Sequence, residues 1–213
     1  MRHCIVLCIV WMTIACQAQS IQDFFNDKAG TVTWLGIDYS HVKLIGEFTQ
    51  FKDASQYSTS EIRNKYFPGW NALVLNEPSK YDFKGMFMLS NLVPDISMVT
   101  SLNAAADVEE MKGTRENRFS CDDIKKFILK YDLTDKEGLG IVLIADALNK
   151  ITEMAGYVVV VFNMKTRDVL LCESVIEKAG GIGIRNYWGG SLNNLVKDGK
   201  KNLYWVWKGK YDK

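Results

Sequence analysis

The spacing of hydrophobic and polar residues predicts strands in the first part of the chain. Residues 31–37, in which Val32 and Trp34 alternate with the residues between them, and residues 42–45 are predicted as short strands. Asp38-Tyr39-Ser40 between them is typical of a turn. Residues 92–99 place Leu92, Ile96 and Met98 on one face, and Pro94 favours an edge position for that strand because proline has no N–H to donate.

Two short helices are predicted between these strands. Ser58 and Glu61 have the spacing of a capping box, which predicts a helix from residue 58 to about residue 66. Pro68 is expected to interrupt it, since proline cannot make the helical hydrogen bond. A second short helix is predicted over residues 70–75, before Pro78.

The last ninety residues have a more regular pattern. Ser120 is a good N-cap for a helix over residues 121–131. Residues 165–167 turn one of the strands that follow into the next, and this connection is short enough that the two strands must form an antiparallel hairpin. The remaining predicted elements are strands at 139–147, 156–162 and 168–176, a helix at 185–197, and a strand at 203–207.

The order of elements predicts the fold class. Residues 141–145 and 158–162 are continuous apolar runs without alternation, so both faces of the sheet centre should be covered. Strands, a helix, a three-strand meander and a helix then follow one another. This order predicts an α+β fold with a mainly antiparallel sheet, a C-terminal three-strand meander and covering helices.

The N-terminus is typical of an export signal. Residues 4–15 form an apolar run of 12 residues, which is too short to span a bilayer but has the length of a signal-peptide core. Small residues at Cys16 and Ala18 predict a signal peptide over residues 1–18 and one globular domain over 19–213. The alternative is a lipoprotein signal in which Cys16 carries the lipid. We therefore expect export to the periplasm or cell surface, with no transmembrane segment after signal removal.

Composition excludes several function classes. The chain has 26 Lys and Arg against 25 Asp and Glu, and this balance gives no reason to expect nucleic-acid binding. After cleavage only His41, Cys121 and Cys172 remain of the histidines and cysteines, without the spacing of a metal site. No metal or cofactor is predicted. Whether the two cysteines form a disulfide is left open.

A glycine-rich segment at 179–190 is the most distinctive motif. It follows a strand and opens a helix, where backbone amides attract anions and glycines allow close approach. It matches neither nucleotide-binding glycine motif. Glycines that only let the backbone turn are the competing explanation. The candidate ligand-binding residues are Gly181, Gly183, Arg185, Asn186 and Trp188.

A second candidate is the turn that contains Asp38 and His41, flanked by Trp34 and Lys43. A histidine near an aspartate has the composition of a general base with its orienting partner. No serine or cysteine is marked as a nucleophile by a Gly-x-Ser-x-Gly motif. We therefore predict no catalytic residues, and an ordinary turn is the simpler interpretation.

The C-terminal apolar strand, the turn at 163–170 and the segment 179–188 together resemble uncharacterised exported α+β proteins of Gram-negative bacteria. The resemblance covers the last 75 residues or so at the level of pattern. It implies a periplasmic or surface location and carries no catalytic residues.

These observations predict a non-enzymatic exported domain that binds an envelope protein or a small ligand. One alternative is a hydrolase of envelope or dietary polymer that uses two carboxylates across a cleft. The other is a glycan-binding module with coplanar tryptophans on its surface, drawn from Trp70, Trp188, Trp205 and Trp207.

Overall fold

The computed structural model describes residues 19–48 and 57–213. The predicted signal peptide, with Cys16, lies outside the described residues. Within the described part, no helix is long and apolar enough to cross a membrane.

The described residues form seven strands and eight α-helices. The strands are β1 Val32–Asp38, β2 Lys43–Ile45, β3 Leu92–Pro94, β4 Lys112–Gly113, β5 Leu139–Asn149, β6 Met154–Asn163 and β7 Val169–Lys178. The helices are α1 Ile21–Phe25, α2 Thr59–Glu61, α3 Phe67–Asn76, α4 Phe83–Met86, α5 Ser97–Ala105, α6 Cys121–Leu129, α7 Gly183–Asp198 and α8 Tyr204–Tyr211.

All seven strands belong to one sheet, with β5 at its centre. On one side β5 pairs in parallel with β1 over Leu139–Ile144 and with β2 over Ala147–Asn149, so β1 and β2 lie end to end. Strands β3 and β4 extend this side, also in parallel. On the other side β6 and β7 follow as antiparallel hairpins.

The predicted fold class is therefore wrong. Five strands are parallel, and the protein is of the α/β type rather than α+β with a mainly antiparallel sheet. The three strands β5, β6 and β7 occupy the predicted positions and are antiparallel. The parallel pairs were missed because each joins strands more than 40 residues apart, through crossovers that contain several helices and give no local signal.

The core has two layers, one on each face of the sheet, as the continuous apolar runs predict. Ile141, Leu143 and Ala145 pack with α3 and α7 on one face, while Val142 and Ile144 pack with α5 and α6 on the other. Both faces of β5 are thus buried along its whole length.

The expected break at Pro68 does not occur. Residues 59–76 form one continuous helix, in which a π-helical segment at Ile62–Tyr66 joins α2 to α3. Pro68 lies in the first turn of α3, directly after the π segment. Its missing N–H therefore falls where the hydrogen-bond register already changes.

Two strand predictions also fail. Only Leu92–Pro94 of the segment 92–99 is a strand, and α5 begins at Ser97. Residues 203–207, predicted as a strand, belong to a π turn and to α8. Tyr204 and Trp207 are buried while Trp205 and Val206 are exposed, which is the three-residue spacing of a helix face rather than alternation.

A disulfide joins the first residue of α6 to the middle of β7. The Cα atoms of Cys121 and Cys172 are 5.9 Å apart, and the bond closes a sequence separation of 51 residues. The question that the sequence leaves open is answered by tertiary packing, because α6 lies across the face of the sheet and begins beside β7.

Candidate functional site

The carboxyl end of β1 lies where the chain changes direction in the sheet. The crossover from β1 to β3 places α3 on one face, and the crossover from β3 to β5 places α5 and α6 on the other. Ligands of open α/β sheets bind at the carboxyl ends of strands at such a topological switch point. The turn with Asp38 and His41, one of the sequence candidates, occupies this position.

Asp38 is fully buried at the end of β1. One carboxylate oxygen accepts the Tyr131 hydroxyl at 2.6 Å, and the other accepts the Ser40 N–H at 2.8 Å. Burial, and then the charge of Asp38, raise the pKa of Tyr131 well above its usual value. The tyrosine therefore keeps its proton and remains a donor to the carboxylate.

Two buried asparagines complete the hydrogen bonding of this strand end. The Asn71 side chain accepts the Ile37 N–H at 2.7 Å and donates to the Ile37 carbonyl at 3.0 Å. Asn103 accepts the Tyr39 N–H at 2.6 Å and also donates to the Ile37 carbonyl, at 2.9 Å. Gly36, with a φ of 96°, leaves room for Asn71, whose Oδ1 would lie 2.6 Å from an added Cβ.

Sequence reasoning missed both asparagines. For Asn71 the only signal is that it is a polar residue within an apolar helical segment, and Asn103 has no such signal. A buried side-chain amide in such a position forms hydrogen bonds with backbone groups that have no partner in the sheet.

His41 stands at the exit of the turn, with its ring stacked on Phe127 at a centroid distance of 4.0 Å. Burial lowers the pKa of His41, and the nearby charge of Asp38 opposes this shift. The imidazole is therefore neutral at neutral pH, with one donor and one acceptor nitrogen. Asn117 donates to the His41 carbonyl at 2.8 Å and to the Asp146 carbonyl at 2.9 Å, which fixes the turn against β5.

A cavity of about 360 Å³ opens beside this turn, and we call it the switch-point crevice. The Ser40 hydroxyl in its wall is buried and has no hydrogen-bond partner among the described residues. Lys130 on its rim is exposed and forms no ion pair within the part of the chain that the structure describes. The lining residues are Ser40, His41, Leu102, Ala105, Ala106, Asp107, Glu110, Phe127, Lys130 and Tyr131.

Some charged side chains in and beside the crevice have an oppositely charged partner, and others do not. Lys43 lies beside Glu110, with its ammonium 3.7 Å from the carboxylate and hydrogen-bonded to the Glu110 carbonyl. Asp107 accepts the N–H of Glu109 at 2.9 Å. Among the described residues, the ammonium of Lys130 and the carboxylate of Asp107 both lack an ion pair, so both remain for an incoming group.

The described contacts of Asp38, Ser40 and His41 differ from those of a catalytic triad. Asp38, Ser40 and His41 are the residue types of a catalytic triad, but a triad needs hydrogen bonds from nucleophile to base and from base to carboxylate. Here the described contacts of Asp38 go to Tyr131 and to the Ser40 amide, and the Ser40 hydroxyl is unpartnered.

The described residues contain no group of three or more His, Cys, Asp or Glu side chains arranged to hold a metal ion.

The glycine-rich segment lies away from the crevice and is folded onto α7. The Gly180 N–H donates to the Tyr187 carbonyl at 2.9 Å, and an added Cβ on Gly190 would lie 2.1 Å from the Gly180 carbonyl oxygen. Gly181 and Gly183 have φ values of 138° and 74°. The glycines therefore have a backbone role, which is the competing explanation given by the sequence.

The other three residues of that candidate also have structural contacts. Arg185 pairs with Glu77 at 3.1 Å, and the Asn186 side chain donates to the Ile182 carbonyl at 3.2 Å. Trp188 is buried and stacks on Phe48 at a centroid distance of 5.7 Å. None of the five lines the switch-point crevice, and their role in ligand binding stays a prediction.

Two carboxylates, Asp146 and Glu116, line a second cavity of about 220 Å³. Burial, reinforced by the charge of Glu116, raises the pKa of Asp146. However, Asp146 accepts the Arg118 N–H at 2.7 Å, and Glu116 accepts Asn149 at 3.3 Å. Through these contacts the two carboxylates hold the loop before α6 in place. The contacts give no independent support to a two-carboxylate hydrolase.

The tryptophans considered for glycan binding do not form a surface platform. Trp70, Trp188 and Trp207 are buried, whereas Trp205 is 54% exposed. The four side chains therefore offer no set of coplanar exposed rings.

Comparison with family models, with curated proteins and with solved structures finds no match for this chain.

Proposed function

We propose that the protein is an exported, non-enzymatic domain that binds a small polar ligand in the switch-point crevice, through an anionic group of that ligand. The observation that carries this proposal is the group of unsatisfied donors in one cavity at the carboxyl end of β1. Export rests on the signal-like sequence of residues 1–18.

Three groups support an anionic ligand. Lys130 supplies a positive charge without an ion-pair partner among the described residues. The Ser40 hydroxyl and the neutral imidazole of His41 supply hydrogen-bond donors. Hydrogen bonds in which one partner is charged are about twice as strong as neutral ones, so the Lys130 contact should dominate the affinity.

The Asp38 carboxylate is not expected to repel the ligand strongly. It is fully buried behind the crevice wall and its oxygens accept the Tyr131 hydroxyl and the Ser40 amide. Its role is to fix the turn, so that Ser40 and His41 hold one orientation toward the cavity.

Titration of the 15N-labelled full-length chain with N-acetylglycine, followed by NMR, tests the proposal. N-acetylglycine amide, which lacks the carboxylate, is the matched neutral probe. We expect N-acetylglycine to shift the amide signals of Ser40, His41 and Lys130, and the neutral probe to have much less effect. Lys130→Met should weaken binding by about tenfold, since a hydrogen bond to a charged group contributes roughly 1.5–3 kcal/mol.

Lys126→Met is the control variant, because Lys126 lies on the same helix and already pairs with Asp123 at 3.0 Å. Equal binding of the two probes, shifts confined to another surface, or no shift with N-acetylglycine, acetate or phosphate would each contradict the proposal.

A further inference from the structure

Strand β7 is an edge of the sheet, and its pairing pattern shows which backbone groups face outward. It pairs only with β6. The Asn163 N–H donates to the Asp168 carbonyl at 2.9 Å, so the backbone groups of Asn163 point toward β7. The backbone N–H and C=O groups of every second residue of β6, counted back from Asn163 toward the start of the strand, therefore also point toward β7. In the observed register these residues are opposite Leu171, Glu173, Val175 and Glu177. The outward N–H and C=O groups therefore belong to Cys172, Ser174, Ile176 and Lys178.

Other parts of the chain cover both ends of this edge but not its middle. The Asn194 side chain donates to the Lys178 carbonyl at 2.9 Å, and the Cys172 N–H faces the Tyr211 hydroxyl. The backbone N–H and C=O of Ser174 and Ile176 have no partner among the described residues, and both residues are exposed. Four unpaired backbone groups in a row are a template for an added strand.

On one face of the sheet, a cavity adjoins this open edge. The cavity of about 220 Å³ is lined by Ser174 and Ile176 from the edge, and by Val158, Phe119 and Arg118 behind it. Ile176 is 65% exposed. A strand added at the edge would place one of its side chains over this cavity. Val158 and Phe119 favour an apolar contact there, beside the carboxylates of Asp146 and Glu116 in the same lining.

On the opposite face, the edge carries acidic side chains. Glu173 already accepts Lys210 at 2.6 Å and the Tyr211 hydroxyl at 2.7 Å. Glu177 has no hydrogen bond or ion pair within the described part of the chain. Burial, with a further contribution from the charge of Asp198, raises the pKa of Glu177 to about 7. A cation placed beside Glu177 would relieve this unfavourable environment.

A second copy of the chain fits this edge poorly in the antiparallel register centred on Val175. Antiparallel pairing of two β7 strands about a twofold axis at Val175 would place Glu173 of each copy directly opposite Glu177 of the other. Like charges directly opposite one another on a sheet are destabilising. Charge complementarity instead favours a basic partner.

We propose that the Ser174–Ile176 edge of β7 binds an extended segment of another protein, in which basic side chains alternate with apolar ones. The backbone of that segment would pair with Ser174 and Ile176. Its basic face would meet Glu177, and its apolar face would cover the cavity beside Phe119. This surface is separate from the switch-point crevice, so either proposal can fail without the other.

An eight-residue peptide of alternating lysine and valine, blocked at both ends, is the probe. It is titrated into the 15N-labelled full-length chain and followed by NMR, with affinity measured by calorimetry. We expect the amide signals of Ser174 and Ile176 to shift. A matched peptide with N-methyl groups on alternate backbone amides should lose binding, because it lacks the donors that a sheet ladder needs.

Glu177→Gln should weaken peptide binding by about tenfold, since it removes one charge-assisted contact while keeping the side-chain shape. Glu153→Gln is the control, because Glu153 is a glutamate of the β5–β6 turn that already has Lys150 as its partner at 3.6 Å. This control should leave the affinity within about twofold of wild type.

The proposal is overturned if the peptide does not bind, if the N-methylated peptide binds equally well, or if Glu177→Gln has no effect. It is also overturned if Ser174 and Ile176 shift with protein concentration in the absence of peptide. That result would assign the edge to self-association.

Discussion

The parallel and antiparallel halves of this sheet are built by different means. In the antiparallel half, β5, β6 and β7 form long ladders between neighbouring segments of the chain. In the parallel half, β1 is interrupted after Asp38, and side chains from helices complete its hydrogen bonds. The irregular half carries the switch-point crevice, while the regular half leaves an open edge.

This difference shows where binding groups become available. A regular ladder satisfies its own backbone groups everywhere except at its edge. An interrupted strand needs specific side chains to satisfy it, and the turn that causes the interruption presents Ser40 and His41 to a cavity. Each half therefore contains one of the two proposed binding surfaces, and each surface follows from how that half is hydrogen-bonded.

The largest expected effect comes from the disulfide, which ties the regular half to a helix of the second crossover. Replacing Cys121 and Cys172 together by serine should lower the free energy of unfolding by about 4 kcal/mol, because the bond closes a loop of 51 residues. Urea unfolding of the variant and of the wild type checks this. The wild type under reducing conditions should match the variant, and a loss below about 1 kcal/mol would contradict the chain-entropy explanation.

A smaller effect is expected from the polar groups that complete the interrupted strand. Asn71→Leu leaves the Ile37 N–H without its acceptor in a buried site, which should cost about 1–3 kcal/mol of unfolding free energy. The counterpart in the regular half is Asn194→Leu, which removes a solvent-exposed hydrogen bond from a partly buried asparagine to the end of β7. This change should alter stability by about 0.5 kcal/mol or less. Equal losses in the two variants would remove the contrast between the halves.

The smallest effect is a pH dependence at the open edge. The pKa of Glu177 is about 7 in the folded protein against a usual value of 4.5. At pH 8 the carboxylate is charged in both states, and its burial disfavours the folded one. As the pH falls from about 7 toward 4.5, the folded state binds a proton that the unfolded state does not yet bind, so stability rises.

Glu177→Gln should therefore be more stable than the wild type at pH 8, and the difference should shrink as the pH falls through this window. Urea midpoints of both proteins at several pH values test this. A difference that is constant with pH would show that Glu177 titrates normally.

The sequence alone determined the elements of the regular half. The three strands, the α6 N-cap at Ser120 and the helix that follows the glycine segment lie within a few residues of their predicted positions. These features depend on contacts between residues close in sequence, such as a capping box or a short hairpin turn. The turn that contains Asp38 and His41 was also predicted from the sequence, and the types of these two residues marked it as a candidate site.

Tertiary structure alone decided the parallel pairing, the disulfide and the contents of the crevice. Lys130 and Leu102 join Ser40 there because the helices of the second crossover pack on one face of the sheet. Asn71 completes β1 because α3 packs on the other. Such contacts join residues tens of positions apart, and their free energy comes from burying both faces of β5 at once. No local pattern records that cooperative packing.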